Sequence, residues 1–177
     1  MRRFSLIEPF PTDRLSDLFH WLNTSMIARS GQFPDSDGFA EKIGDLSGMR
    51  SWGVVDSSDE ALIGAAILEP VGTMGARSYV ASARRAWGKG IMEEAVTECI
   101  SRSFAQDRNL AWIAGMVVAN NMPARHFNER IGMRLKNILP EFAEQGGKRR
   151  DLYVYEMDRE QWERASIFEV TRPRWAA

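Results

Sequence analysis

Cysteine and histidine are scarce in this 177-residue chain, and so are the chemistries that need them. The single cysteine, Cys99, cannot form an internal disulfide and argues against a cysteine-built zinc site. The two histidines, His20 and His126, stand far apart with no paired metal-ligand spacing, so no metal is expected. Long apolar runs are missing as well. Leu110–Ala119 is about half of the roughly 20 residues that a membrane span needs. Met1-Arg2-Arg3-Phe4-Ser5 lacks the apolar run and small-residue cleavage site of a signal peptide. There is no internal repeat, no low-complexity tract and no Gly/Ser/Pro linker long enough to separate a pair of domains. These absences leave a cytoplasmic, single-domain protein with no membrane partner as the expectation.

Neither sign of charge dominates, with 23 Lys and Arg against 24 Asp and Glu. The balance is uneven along the chain: residues 1–60 carry 6 basic and 10 acidic side chains, residues 61–177 carry 17 and 14. A basic bias that weak suits a small anionic ligand and is too slight for a nucleic-acid groove. Hydrophobic residues (44%) and charged residues (27%) are in the proportions of a domain that buries its own core.

The hydrophobic pattern predicts mixed elements. Arg3–Glu8 alternates and reads as a first strand, closed by Pro9 and Pro11. Thr12 is a fair N-cap for a helix through Ser25, and Ser36 or Asp37 for a second one to Leu46. Ser51–Val55, Ala61–Glu69 and Ala76–Ser82 read as an antiparallel meander. The period then changes. Ile91, Met92, Ala95, Val96, Cys99, Ile100 and Phe104 form a helical stripe, which makes Cys99 a small core residue. Leu110–Ala119 reads as a central strand buried on both faces. A helix from Asn121 ends at Gly132, and strands at Arg134–Ile138 and Asp151–Glu156 bracket a loop, Leu139–Arg150. From Arg159 a short polar helix leads into an irregular tail. The sum is an α+β sheet with helices packed on it.

Chemistry concentrates in Arg84-Arg85-Ala86-Trp87-Gly88-Lys89-Gly90-Ile91-Met92, between a strand end and a helix start. Two glycines there allow sharp turns and close backbone approach, and the helix start offers unpaired N–H groups. Arg84, Arg85 and Lys89 add positive charge, so the segment reads either as a pyrophosphate site or as a basic, glycine-rich connection without a ligand. A P-loop is excluded because Lys89 is followed by Gly90 instead of a hydroxyl residue. A dinucleotide fingerprint is excluded because the third glycine is absent and a meander precedes the segment.

Arg85-x-x-Gly88-x-Gly90 does match the [QR]-x-x-G-x-[GA] signature of the GCN5-related N-acetyltransferase superfamily, which this chain resembles over about residues 3–158. Asn121-Met-Pro-Ala124…Glu129-Arg130-Ile-Gly132-Met133 is similar to that family's second signature. Asp151-Leu-Tyr-Val-Tyr-Glu-Met…Trp162 resembles the ending of its branch that acetylates ribosomal-protein N-termini, and of phage and bacterial relatives. The resemblance implies one acyltransferase domain over residues 1–158 and a tail over 159–177. It also implies a mostly antiparallel sheet of six to seven strands, helices on both faces, and a splayed central pair of strands.

The resemblance further implies acetyl-CoA as cofactor. Backbone groups of Tyr79, Val80 and Ala81 would face pantetheine and the thioester carbonyl. Arg85 and the N–H groups of Trp87, Gly88, Lys89, Gly90 and Ile91 would hold the pyrophosphate. Asn121 would bond the pantetheine amide, Arg125 would meet a coenzyme phosphate, and Phe127 would flank the cofactor arm. Many members place a tyrosine seven residues after the motif asparagine to protonate the leaving sulfur; here that position is Asn128, which cannot act as an acid. Tyr153 or Tyr155 are substitute hydroxyls, Glu69 is the carboxylate nominated as base, and Glu141 is a second candidate.

The expected reaction is direct attack by an amine, of a small molecule or a polypeptide, on the thioester. Asp35, Asp37, Glu41 and Asp45 would give the acceptor side an acidic rim. Asn128 also leaves open a relative that binds coenzyme A without catalysis. The tail from Ile167 to Trp175 would pack back or join a partner chain in a homodimer.

Overall fold

The computed structural model describes residues 3–14, 17 and 45–171, and side chains as far as residue 165. Seven strands lie within these residues: β1 (Phe4–Ile7), β2 (Arg50–Asp56), β3 (Leu62–Val71), β4 (Gly75–Ser82), β5 (Trp112–Val118), β6 (Arg134–Gln145) and β7 (Lys148–Asp158). Three α-helices, α1 (Ile91–Gln106), α2 (Met122–Arg130) and α3 (Arg159–Thr171), follow β4, β5 and β7. Short 3-10 turns occupy Thr12–Arg14 and Arg84–Ala86. The helices expected over residues 12–25 and 36–46 otherwise lie outside the described residues, as do Asp35, Asp37 and Glu41 of the expected acidic rim.

The strands form one sheet in the order β1-β2-β3-β4-β5-β7-β6, antiparallel throughout except for β4 beside β5. That parallel pair needs a crossover, and α1 supplies it. The apolar stripe of α1 is buried along its whole length, Cys99 included, and packs on Trp52, Val54, Ile63, Ala66 and Leu68. Burial pushes the Cys99 thiol up to about 12, so it is core and not a nucleophile. Gly64 lets α1 approach closely, since a Cβ there would fall 2.5 Å from the Met92 side chain. Helix α2 covers the same face through Ala124, Phe127 and Ile131. On the other face Phe10, Val55, Leu62, Ala65, Ile67 and Tyr79 cluster beneath Leu46 and Met49.

One expectation is corrected. Residues 139–150 are not a loop, because β6 and β7 continue as a hairpin to the tip at Gly146 and Gly147. Beyond Leu139 the hairpin has few buried positions, so no two-residue hydrophobic alternation marks it. A register break between Leu139 and Ala143 interrupts the pairing, and Glu141 takes φ +50° within it. Helix α3 is anchored at its start: the Arg159 guanidinium donates to the carbonyls of Phe104, Asp107 and Leu110, and Trp162 stacks on Phe104.

Candidate active site

The central pair of strands forms a fork. β4 and β5 pair only from Gly75 to Ser78 and from Trp112 to Gly115. Past that apex Tyr79, Val80, Ala81 and Ser82 keep register with β3, and Met116, Val117 and Val118 with β7, and the two strands no longer pair with each other. The two strands part there and leave a slot for an extended ligand that carries its own hydrogen-bonding groups. Val80 is exposed along this slot.

From β4 the chain runs into the glycine segment. Arg84–Ala86 makes one 3-10 turn, and Gly88 and Gly90 follow at φ +69° and +72°, with Gly90 the N-cap of α1. A Cβ on Gly88 would meet nothing within 4 Å, so this glycine is required by its backbone angle and opens onto free space. The Trp87 N–H closes the 3-10 turn on the Arg84 carbonyl at 3.1 Å. That takes it out of the expected donor set. Among the described residues the N–H groups of Gly88, Lys89, Gly90 and Ile91 have no backbone carbonyl partner. Four donors at a helix start suit an anion.

The basic side chains divide into two groups. Arg85 turns away to grip the β2–β3 turn, at 2.7 Å from Asp56 and 2.8 Å from Asp59. A Ser58 hydroxyl and then Arg85 hold the Asp56 carboxyl far below the usual carboxylate range, and Arg85 lowers Asp59. The motif arginine thus ties the glycine segment to the sheet instead of presenting its charge to a ligand. Arg84 and Lys89 are exposed and have no side-chain partner among the described residues. Arg3 also reaches the segment, donating to the Lys89 carbonyl at 2.7 Å and pairing with Glu94. No sequence pattern marked Arg3, because it arrives from 86 residues away.

Helix α2 roofs the fork on the α1 side. The Asn121 side chain accepts from the Ala124 N–H at 3.3 Å and caps the helix, with Pro123 in the first turn. Arg125 lies over the Tyr153 ring at 4.1 Å, and its Nε donates to the Tyr155 hydroxyl at 3.3 Å. That hydroxyl donates in turn to Glu129 at 3.0 Å. Burial raises the Tyr155 pKa first of all. Arg125 is therefore held on β7, where only some of its surface is open to a phosphate. Phe127 packs partly buried against the main core. Asn128 is buried at 7% exposure, and its amide rests on Gly115 at the apex.

On the opposite face a polar cluster flanks the same apex. The Tyr79 hydroxyl donates to Glu69 Oε2 at 2.6 Å and accepts from Arg77 Nη1 at 3.2 Å. Burial and the Glu69 hydrogen bond push the Tyr79 pKa up to about 12. The structure thus brings Tyr79, Glu69 and Asn128 to the apex, the first two on one face and the third on the other. Tyr153 pairs with Val117, two residues farther along the open arm. Glu141 lies on edge strand β6, two strands from β5. Gly115 and Arg77 carried no signal in the sequence, since a lone glycine and a lone arginine in strands are unremarkable until their neighbours are placed.

Comparison with known proteins agrees with this geometry. Residues 5–134 match the family model described as an acetyltransferase (GNAT) domain. No curated protein matches the chain. The chain is similar in structure to spermidine N-acetyltransferase from Vibrio cholerae, solved with CoA and spermine: TM-score 0.76, 20% identity, 91% of this chain and 98% of that one. A GNAT-family acetyltransferase from Bacillus anthracis aligns with TM-score 0.73 at 18% identity, over 89% and 96%. Ribosomal-protein-S5-alanine acetyltransferase from Vibrio fischeri aligns with TM-score 0.73 at 14% identity, over 92% and 96%. At these identities the likeness is one of fold.

Proposed function

The chain belongs to the GNAT acetyltransferase family, and from that premise we propose that it uses acetyl-CoA to acetylate an amine. The observation that carries this reading is the fork opening beside four N–H donors that have no backbone partner among the described residues, so that an extended thioester and its anionic end have adjoining places. The residues fit the coenzyme. Gly88, Lys89, Gly90 and Ile91 would hold the pyrophosphate, with Lys89 and Arg84 adding charge, and the open arm of β4 from Tyr79 to Ala81 would face the pantetheine.

When bound, acetyl-CoA supplies a thioester carbon that forms the new C–N bond and a sulfur that leaves as its C–S bond breaks. The chain's own groups do the rest. A backbone N–H on the open arm of β4 would face the thioester carbonyl and polarise it, as in other oxyanion sites. Glu69, held by Tyr79 beside Arg77, takes the proton that the amine must lose. Asn128 offers no acidic proton to the sulfur, but a thiol with a pKa of about 8.5 leaves tolerably as thiolate near neutral pH. The acceptor is an amine of a small molecule or a polypeptide. Spermine in the Vibrio cholerae neighbour and the S5 alanine acetyltransferase likeness make a polyamine and an N-terminal peptide the first two to try.

Calorimetry with acetyl-CoA, CoA and ATP tests the cofactor. Micromolar binding of the first two, with none of ATP, is expected. Release of free thiol in the presence of spermine or an alanine-ended peptide then tests the reaction. Coenzyme binding without release on any amine would leave a coenzyme-binding protein. Absence of binding in folded protein would overturn the reading.

A further inference from the structure

The peptide between Lys89 and Gly90 ends on a glycine at positive φ, where the backbone rotates at little cost. Something must fix which way its N–H points. The Lys89 carbonyl accepts from Arg3 Nη1 at 2.7 Å. In a planar trans peptide the C=O and N–H point in opposite directions, so this bond turns the Gly90 N–H away from Arg3.

The second guanidinium nitrogen of Arg3 pairs with Glu94, in the first turn of α1. A carboxylate there suits the helix dipole and opposes a bound anion. Its neighbour Glu93 is met in the same way by Arg130 of α2, at 3.0 Å. Each acidic side chain beside the cradle is therefore answered by an arginine from another element. Arg3 is itself anchored, because its carbonyl accepts from the Ser57 N–H at 3.1 Å. Ser57 lies in the turn whose Asp56 and Asp59 hold Arg85, so one turn secures both arginines.

We infer that Arg3 is a positioning residue for the anionic end of the ligand: it aims the Gly90 N–H into the cradle and cancels the charge of Glu94. The inference rests on the coenzyme A reading proposed for this site. The test is calorimetry with two probes, CoA and S-acetylpantetheine, which lacks the pyrophosphate. Arg3→Ala is expected to bind CoA about tenfold more weakly or worse, the loss typical of a hydrogen bond to a charged group. Its affinity for S-acetylpantetheine stays at the wild-type value. Arg3→Lys recovers some of the loss, and so does adding Glu94→Gln to Arg3→Ala. Thermal melts without ligand show whether each variant is folded.

CoA affinity in folded Arg3→Ala within about twofold of wild type overturns the inference alone. An equal loss toward both probes also overturns it, since the effect would then lie outside the cradle. Wild-type protein that binds no CoA overturns the coenzyme reading first, and this inference with it.

Discussion

The Asn128 amide rests on the bare Cα of Gly115, the last residue of β5 that still pairs with β4. A Cβ on Gly115 would lie 2.9 Å from Asn128 Nδ2 and 3.2 Å from Oδ1. Gly115→Ala must therefore push α2 or the Asn128 side chain off the apex. Overpacking of this kind costs about 1–3 kcal/mol. A lower melting temperature together with reduced turnover is expected, and an unchanged melt would show that the amide moves aside freely.

Gly88→Ala separates binding from stability. Nothing stands within 4 Å of the added methyl, so the strain comes from φ +69° alone, about 1–2 kcal/mol for a non-glycine residue. Relief of that strain reorients the donors of the cradle. Coenzyme binding should fall at least tenfold while circular dichroism and chemical denaturation show a folded protein. Binding at wild-type strength would remove the cradle from the account.

The Arg85 pairs give acid sensitivity a sign. Asp56 and Asp59 have folded pKa values below their unfolded ones, so the unfolded state binds more protons as pH falls. Their contribution is complete above an unfolded pKa of about 3.9 and is lost as pH drops below it. Arg85→Ala should raise the pH at which the protein acid-unfolds. Identical acid transitions for the variant and the wild type would show that the pairs are too exposed to matter.

Glu69 and Tyr79 make separable predictions. Glu69→Gln should lower kcat by about 10²–10⁴-fold with little change in coenzyme affinity. Tyr79→Phe removes one hydrogen bond that holds the carboxylate. A smaller loss of kcat than in Glu69→Gln is expected, again with coenzyme affinity kept. The Tyr79 hydroxyl, at about 12, stays protonated near neutral pH, so its part is to position the carboxylate. Unchanged kcat in Glu69→Gln would take Glu69 out of the reaction.

The features of this site that were readable in advance are the local ones. The Gly88 and Gly90 spacing and the α1 stripe are periodic or contiguous, and both stand where the sequence placed them. Asn121 also stands at a helix start as expected, with its side chain on the backbone cap. Arg85 shows the limit of a motif. Its position was clear, but its partners sit on a turn 26 and 29 residues earlier. Arg3, Arg77 and Gly115 matter through neighbours on other strands, and no one-dimensional pattern carries that information. The β6–β7 hairpin escaped for a different reason, since strands with few buried positions leave no alternation to read.

The parallel seam between β4 and β5 has a consequence for how the molecule comes together. The four-residue ladder that ends at Ser78 and Gly115 closes only after the chain has travelled through the glycine segment and α1. Non-local closures of this sort come late in folding, because the loop entropy is lost before the contacts reward it. The antiparallel meander of β2, β3 and β4 can form by itself from near neighbours. It then has neither slot nor cradle, and the event that joins the two halves of the sheet completes both at once.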